Sequence, residues 1–115
     1  MEGCCFSARL EIVSKEPFIV EKCHSTLIES VCRSMDSCYS PPSRAWLVAQ
    51  RGGCLVEVAP PRPPRPPAPG APLPPASASV DIRCMEPSQL VETLEVFDSE
   101  IRRVCPPLGL VLRLG

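Results

Sequence analysis

Between Phe6 and Val13 apolar and polar positions alternate, with Phe6, Ala8, Leu10 and Ile12 on one side and Ser7, Arg9 and Glu11 on the other. A period of two with one polar face predicts a half-buried strand. Ser14-Lys15-Glu16-Pro17 then reads as a helix start, because proline in the first turn has no hydrogen bond to lose. The period lengthens from there. Ile19, Cys23, Leu27, Val31 and Met35 recur every four residues, flanked by Val20, Ile28 and Cys32, while Glu21, Lys22, Ser25, Glu29 and Arg33 cover the opposite side. This predicts an amphipathic helix of about five turns, ending before Pro41-Pro42.

Arg44–Gln50 and Cys54–Ala59 read as two strands joined through Arg51-Gly52-Gly53, since glycine supplies the positive φ of a tight hairpin turn. Trp46 and Val48, with Val56 and Val58, are expected to form its shared apolar face. Val80, Ile82 and Cys84 alternate with Asp81 and Arg83 in a further strand. Glu86-Pro87-Ser88 repeats the helix-start chemistry, and Leu90, Leu94, Phe97, Ile101 and Val104 follow at helical spacing up to Pro106-Pro107. Acidic Glu92, Glu95 and Asp98 precede Arg102 and Arg103, which suits the helix dipole. Leu108, Leu110, Leu112 and Leu114 mark a closing strand. The two strand-to-helix passages, each with Glu-Pro at the helix entrance, form a loose internal echo that falls short of a repeat.

Residues 60–75 break every period. Ten of these sixteen positions are proline and none is acidic, so an extended polyproline II segment is expected. The order β-α-β-β, insertion, β-α-(β) predicts an α+β fold: a small two-layer sandwich of ferredoxin-like order, with two helices on one face of an antiparallel sheet. One discontinuous domain is expected over 1–59 and 78–115, interrupted by a disordered proline-rich linker at 60–77. In element order alone it resembles small sheet-and-helix accessory subunits of larger assemblies.

Composition narrows the function. The 115 residues carry 12 basic and 13 acidic side chains, which argues against a general nucleic-acid binder. Only 4% of residues are aromatic, and of those on strands Phe6 and Trp46 read as core rather than as base-stacking platforms. No apolar run is long enough to span a bilayer. Eight cysteines suggest a disulfide scaffold, but Met1-Glu2-Gly3-Cys4-Cys5-Phe6 has no export-signal pattern. The expected compartment is therefore intracellular, cytoplasm or nucleus, with Cys23, Cys32, Cys84 and Cys105 as free, buried hydrophobes. Cys4 and Cys5 are candidates for palmitate. The spacings contain no zinc knuckle, and no metal or cofactor is expected.

Cys23-His24 is the one apparent nucleophile–base pair. Neighbours on a helix point about 100° apart, so His24 reads as a partly exposed residue of a helix face, and no enzyme is expected. Pro60, Arg62, Pro63 and Arg65 fit P-x-x-P-x-R, a ligand for SH3 or WW domains: polyproline II is already extended, and arginine sets its direction on an acidic pocket. Ser40-Pro41 fits a proline-directed phosphorylation site. The leading expectation is a non-catalytic protein-interaction module, an accessory subunit or adaptor docking through its open sheet face or an edge strand. The alternatives are a signalling ligand presenting the proline-rich segment, and a cysteine-based zinc or redox protein.

Overall fold

In a computed structural model of the chain, residues 5–62, 68–71, 76–105 and 109–114 are described. Strand β1 (Phe6–Ser14) leads into helix α1 (Pro17–Val31), followed by a 3₁₀ turn at Cys32–Ser34. Strands β2 (Ser37–Tyr39), β3 (Leu47–Arg51), β4 (Cys54–Val58) and β5 (Ala76–Cys84) come next, then helix α2 (Pro87–Val104) and strand β6 (Gly109–Leu114). The strands form one antiparallel sheet in the order β2-β3-β4-β5-β1-β6. The architecture is α+β, with both helices packed on one side of the sheet. β2 and β3 extend the sheet beyond β4 at one edge.

β1 and β5 lie side by side at the centre and are the same length, nine residues each. Each is followed by two residues and a helix whose first residue is proline, with Glu16 or Glu86 at the cap position. The internal echo thus has a spatial counterpart: Phe6 and Ala76 open the strands, Pro17 and Pro87 the helices.

The core fills the gap between helices and sheet. Ala8, Leu10 and Ile12 of β1 meet Val80, Ile82 and Cys84 of β5, and Leu47, Ala49, Val56 and Val58 continue the layer. Leu27, Ile28 and Val31 of α1 and Leu90, Phe97 and Ile101 of α2 close it from above. Ala76 and Ala78 pack against Val20, where small side chains let the start of α1 approach the sheet.

Several expectations change. α1 ends at Val31, a full turn early, because residues four apart drift by about 40° per step and Met35 would leave the buried face. The chain instead turns and adds the unanticipated β2. β3 starts at Leu47 rather than Arg44, and β5 starts at Ala76, so part of the expected linker belongs to a strand. Pairing of Leu47 with Val58 and of Ala49 with Val56 puts those four side chains inward. Trp46 and Val48 therefore face the opposite way from Val56 and Val58, one residue out of phase with the expected face. The two-residue turn itself holds: Gly52 has φ +56° and accepts no side chain without strain.

Candidate interaction face

The side of the sheet away from the helices is uncovered among the described residues. Across it Tyr39, Val48, Glu57, Asp81 and Arg9 stand in register on β2, β3, β4, β5 and β1. The row changes character along its length. Its β2–β4 end is apolar: Tyr39 is 62% exposed, Trp46 37%, Val48 40% and Leu55 46%. Its β5–β1 end is charged, where Arg9 Nε donates to Asp81 Oδ1 at 2.7 Å. That hydrogen bond and the carboxylate's charge hold the Arg9 guanidinium even more firmly protonated than usual.

Local structure fixes the apolar end. The Ser40 hydroxyl donates to the Trp46 carbonyl at 2.8 Å, closing the loop that carries Pro41-Pro42, and Arg44 turns through the left-handed region within it. The Tyr39 and Trp46 rings then lie 5.5 Å apart at a 49° tilt, within the range of favourable aromatic pairs. Asp36 anchors the other end of β2: its backbone N–H reaches Gln50 and its carboxylate accepts the Gly52 N–H at 2.7 Å. Beside the rings runs an open groove of about 250 Å³, bounded by Trp46, Val48, Glu57, Ala59, Pro60 and Asp81. That volume is below the range of about 300–1,000 Å³ usual for small-molecule pockets. A second depression, of about 400 Å³, lies at the β3–β4 turn near Gln50, Leu55, Arg83 and Met85.

Trp46 and Phe6 were expected in the core; both stand substantially in solvent, and Phe97 is the buried aromatic. The displacement of Trp46 follows from the β3–β4 register, while Phe6 has the inward phase but lies at the strand's end, where no helix covers it.

His24 is buried rather than partly exposed. Its Nε2–H donates to the Ala59 carbonyl at 2.7 Å, and burial pushes the imidazole below its ordinary pKa, against the opposing effect of that hydrogen bond. Because Ala59 N–H also bonds Ser79, the residue just before Pro60 is held from two sides. Cys23 points elsewhere, in a disulfide with Cys105, so its sulfur is no nucleophile for His24.

The cysteines expected as free thiols are joined. Besides Cys23–Cys105, Cys32 bonds Cys38 and Cys54 bonds Cys84. Cys5 is also disulfide-bonded, which removes the free thiol that palmitoylation requires; Cys4 lies outside the described residues. The burial expected for Cys23, Cys84 and Cys105 holds, and Cys54 joins them. Sequence reasoning missed the pairing because partners such as Cys23 and Cys105 stand 82 positions apart. Among the described residues no three His, Cys, Asp or Glu side chains converge as a metal site.

Pro60 and Arg62 are exposed. Arg62 is held by its backbone: its N–H donates to the Ser77 carbonyl at 2.8 Å, and Ser77 N–H returns to Arg62 at 3.4 Å. Pro63 and Arg65 lie outside the described residues. No helix among the described residues is long and apolar enough to cross a membrane.

This arrangement defines a sandwich with one covered and one open face. Neither protein-family models nor curated proteins give a match to the chain. Among solved structures it is similar to the de novo designed protein Foldit4, with a TM-score of 0.56, 14% identity and 96% of each chain covered. That likeness concerns the fold alone.

Proposed function

We propose that the chain is a non-catalytic protein-interaction module, an accessory subunit or adaptor that docks a partner protein on its open sheet face. The observation that carries this reading is the cluster of Tyr39, Trp46, Val48 and Leu55 on a face no helix covers. Aromatic residues flanked by charge are what protein interfaces enrich, and the Arg9–Asp81 pair beside them supplies a polar border.

The test is capture of partners with the intact chain, a Trp46→Ala/Leu55→Ser variant and an Arg62→Ala/Arg65→Ala variant, with cross-linking to map the contact. A stoichiometric partner cross-linked beside the open face, lost with the first variant and kept with the second, supports the reading. Loss with the arginine variant alone moves the function to the proline-rich segment, the second reading, which the exposure of Pro60 and Arg62 favours. The disulfides favour an oxidising compartment over the intracellular one expected from the sequence. Alkylation of the chain denatured without reductant separates the two: cysteines that stay unlabelled support the first, and full labelling supports the second.

A further inference from the structure

The groove beside Trp46 has the chemistry of a proline–arginine binding site, and the chain carries such a ligand. Its walls combine an exposed tryptophan and Val48 with two carboxylates; the nearest basic side chains among the described residues, Arg9 and Arg83, share an adjoining depression with Glu57 and Asp81. Asp81 is engaged by Arg9, whereas Glu57 has no ion pair or side-chain hydrogen bond among the described residues. An aromatic surface next to an unpaired acid fits a polyproline II segment bearing arginine: the prolines stack with little entropy loss and the guanidinium meets the carboxylate. Residues 63–67, Pro-Pro-Arg-Pro-Pro, have the sequence of such a segment.

We infer that the groove of one copy of this chain takes residues 63–67 of a second copy, in a reciprocal homodimer. The inference rests on the reading of the open face as an interaction surface and names one occupant for it. The occupant is assigned to a second copy because of how the segment is tethered. Pro60 is itself a wall of the groove, and the backbone of Arg62 is held to Ser77, so the chain runs on past the groove at that point. Four of the five residues that follow Arg62 are proline. Proline holds φ near −65° and pushes the preceding residue toward extended conformations, so the sequence opposes the sharp reversal needed to enter the chain's own groove. A partner's groove requires no reversal, and a two-fold axis satisfies both copies at once.

The chain's single tryptophan reports on the site directly. Sedimentation velocity and Trp46 emission are measured together across a dilution series of the full chain, for the wild type, Glu57→Gln, Arg65→Gln and the double variant. The expected result is a concentration-dependent two-copy species whose formation shifts Trp46 emission. Each single variant removes the pair at both ends of the two-fold dimer and should weaken it by about a hundredfold, twice the free-energy scale of one charge-assisted hydrogen bond. The double variant should weaken it little further, because both changes remove the same pair. A chain monomeric at every concentration overturns the inference, as does a dimer indifferent to Arg65→Gln. Emission that responds to Arg65→Gln without depending on concentration overturns it in favour of the chain's own segment. A monomeric chain that still captures a partner on the open face loses only this inference. A homodimer that captures no partner keeps it and loses the wider reading.

Discussion

On the helix side of β4 stand Cys54, Val56 and Val58, all buried; on the other side of the same strand stand Leu55 and Glu57, both open to solvent. β3 repeats the contrast, with Leu47 and Ala49 inside and Val48 and Gln50 outside. Inward positions are small or branched aliphatics that interdigitate with two helices, and their burial holds the fold together. Outward positions at the same end include Tyr39, Trp46, Val48 and Leu55, which keep between 37% and 62% of their surface in solvent. Hydrophobic positions in this protein therefore fall into two kinds. On one face they stabilise the fold, and on the other they stay open to solvent, as the proposed docking role requires.

The sharpest way to break the comparison is to truncate one large side chain on the covered face. Phe97 is fully buried between α2 and the sheet, so Phe97→Ala should cost about 3–5 kcal/mol in urea unfolding. Trp46→Ala on the open face, where the residue keeps 37% of its surface in solvent, should cost less, about 1–3 kcal/mol for its partial burial and its contact with Tyr39. Equal losses would show that Trp46 is structural.

The cysteine staples come next. Removing Cys23–Cys105, which spans 82 positions, as Cys23→Ala/Cys105→Ala should lower stability by roughly 4 kcal/mol. Removing Cys32–Cys38, separated by six, should cost roughly 2 kcal/mol. Denaturant midpoints of the two double variants give that order directly, and the reverse order would show that loop closure is not what governs them.

His24 supplies a pH dependence confined to the covered side. Its folded-state pKa is depressed by burial, so the unfolded chain takes up a proton first as pH falls. His24's contribution is fully present above about 6.5, the unfolded value, and declines as pH falls toward the folded one. Urea midpoints from pH 7.5 to 5 should drop for the wild type, and His24→Gln should remove this part of the slope while keeping a donor toward Ala59.

The smallest effect is expected on the open face itself. Leu55→Ser should change stability by no more than about 0.5 kcal/mol in the same unfolding assay, as surface substitutions usually do. A larger loss would place Leu55 among the residues that hold the sheet.

Much of this was legible in the alternation of β1 and β5 and in the Glu-Pro helix starts, because strand and helix periods are local properties. Gly52-Gly53 located the hairpin for the same reason. The facing of Trp46 was not legible, since it depends on pairing Leu47 with Val58, and a one-residue change of register reverses every side chain. β2 is too short to show a period, and it is held by the Asp36 carboxylate on Gly52 N–H and by the Cys32–Cys38 disulfide, neither of which leaves a periodic trace in the sequence. An open sheet face was expected, but its members were not legible, because they come from three strands and a loop and only the sheet brings them together. Pro60 and Arg62 were visible as a ligand motif, but the acidic, aromatic groove beside them was not.

The most direct test pairs stability with binding in one variant, Trp46→Ala/Leu55→Ser. The account expects a folded chain with a higher urea midpoint than Phe97→Ala that no longer captures its partner. A chain that unfolds as readily as Phe97→Ala, or one that captures its partner unchanged, would contradict the division between the two faces.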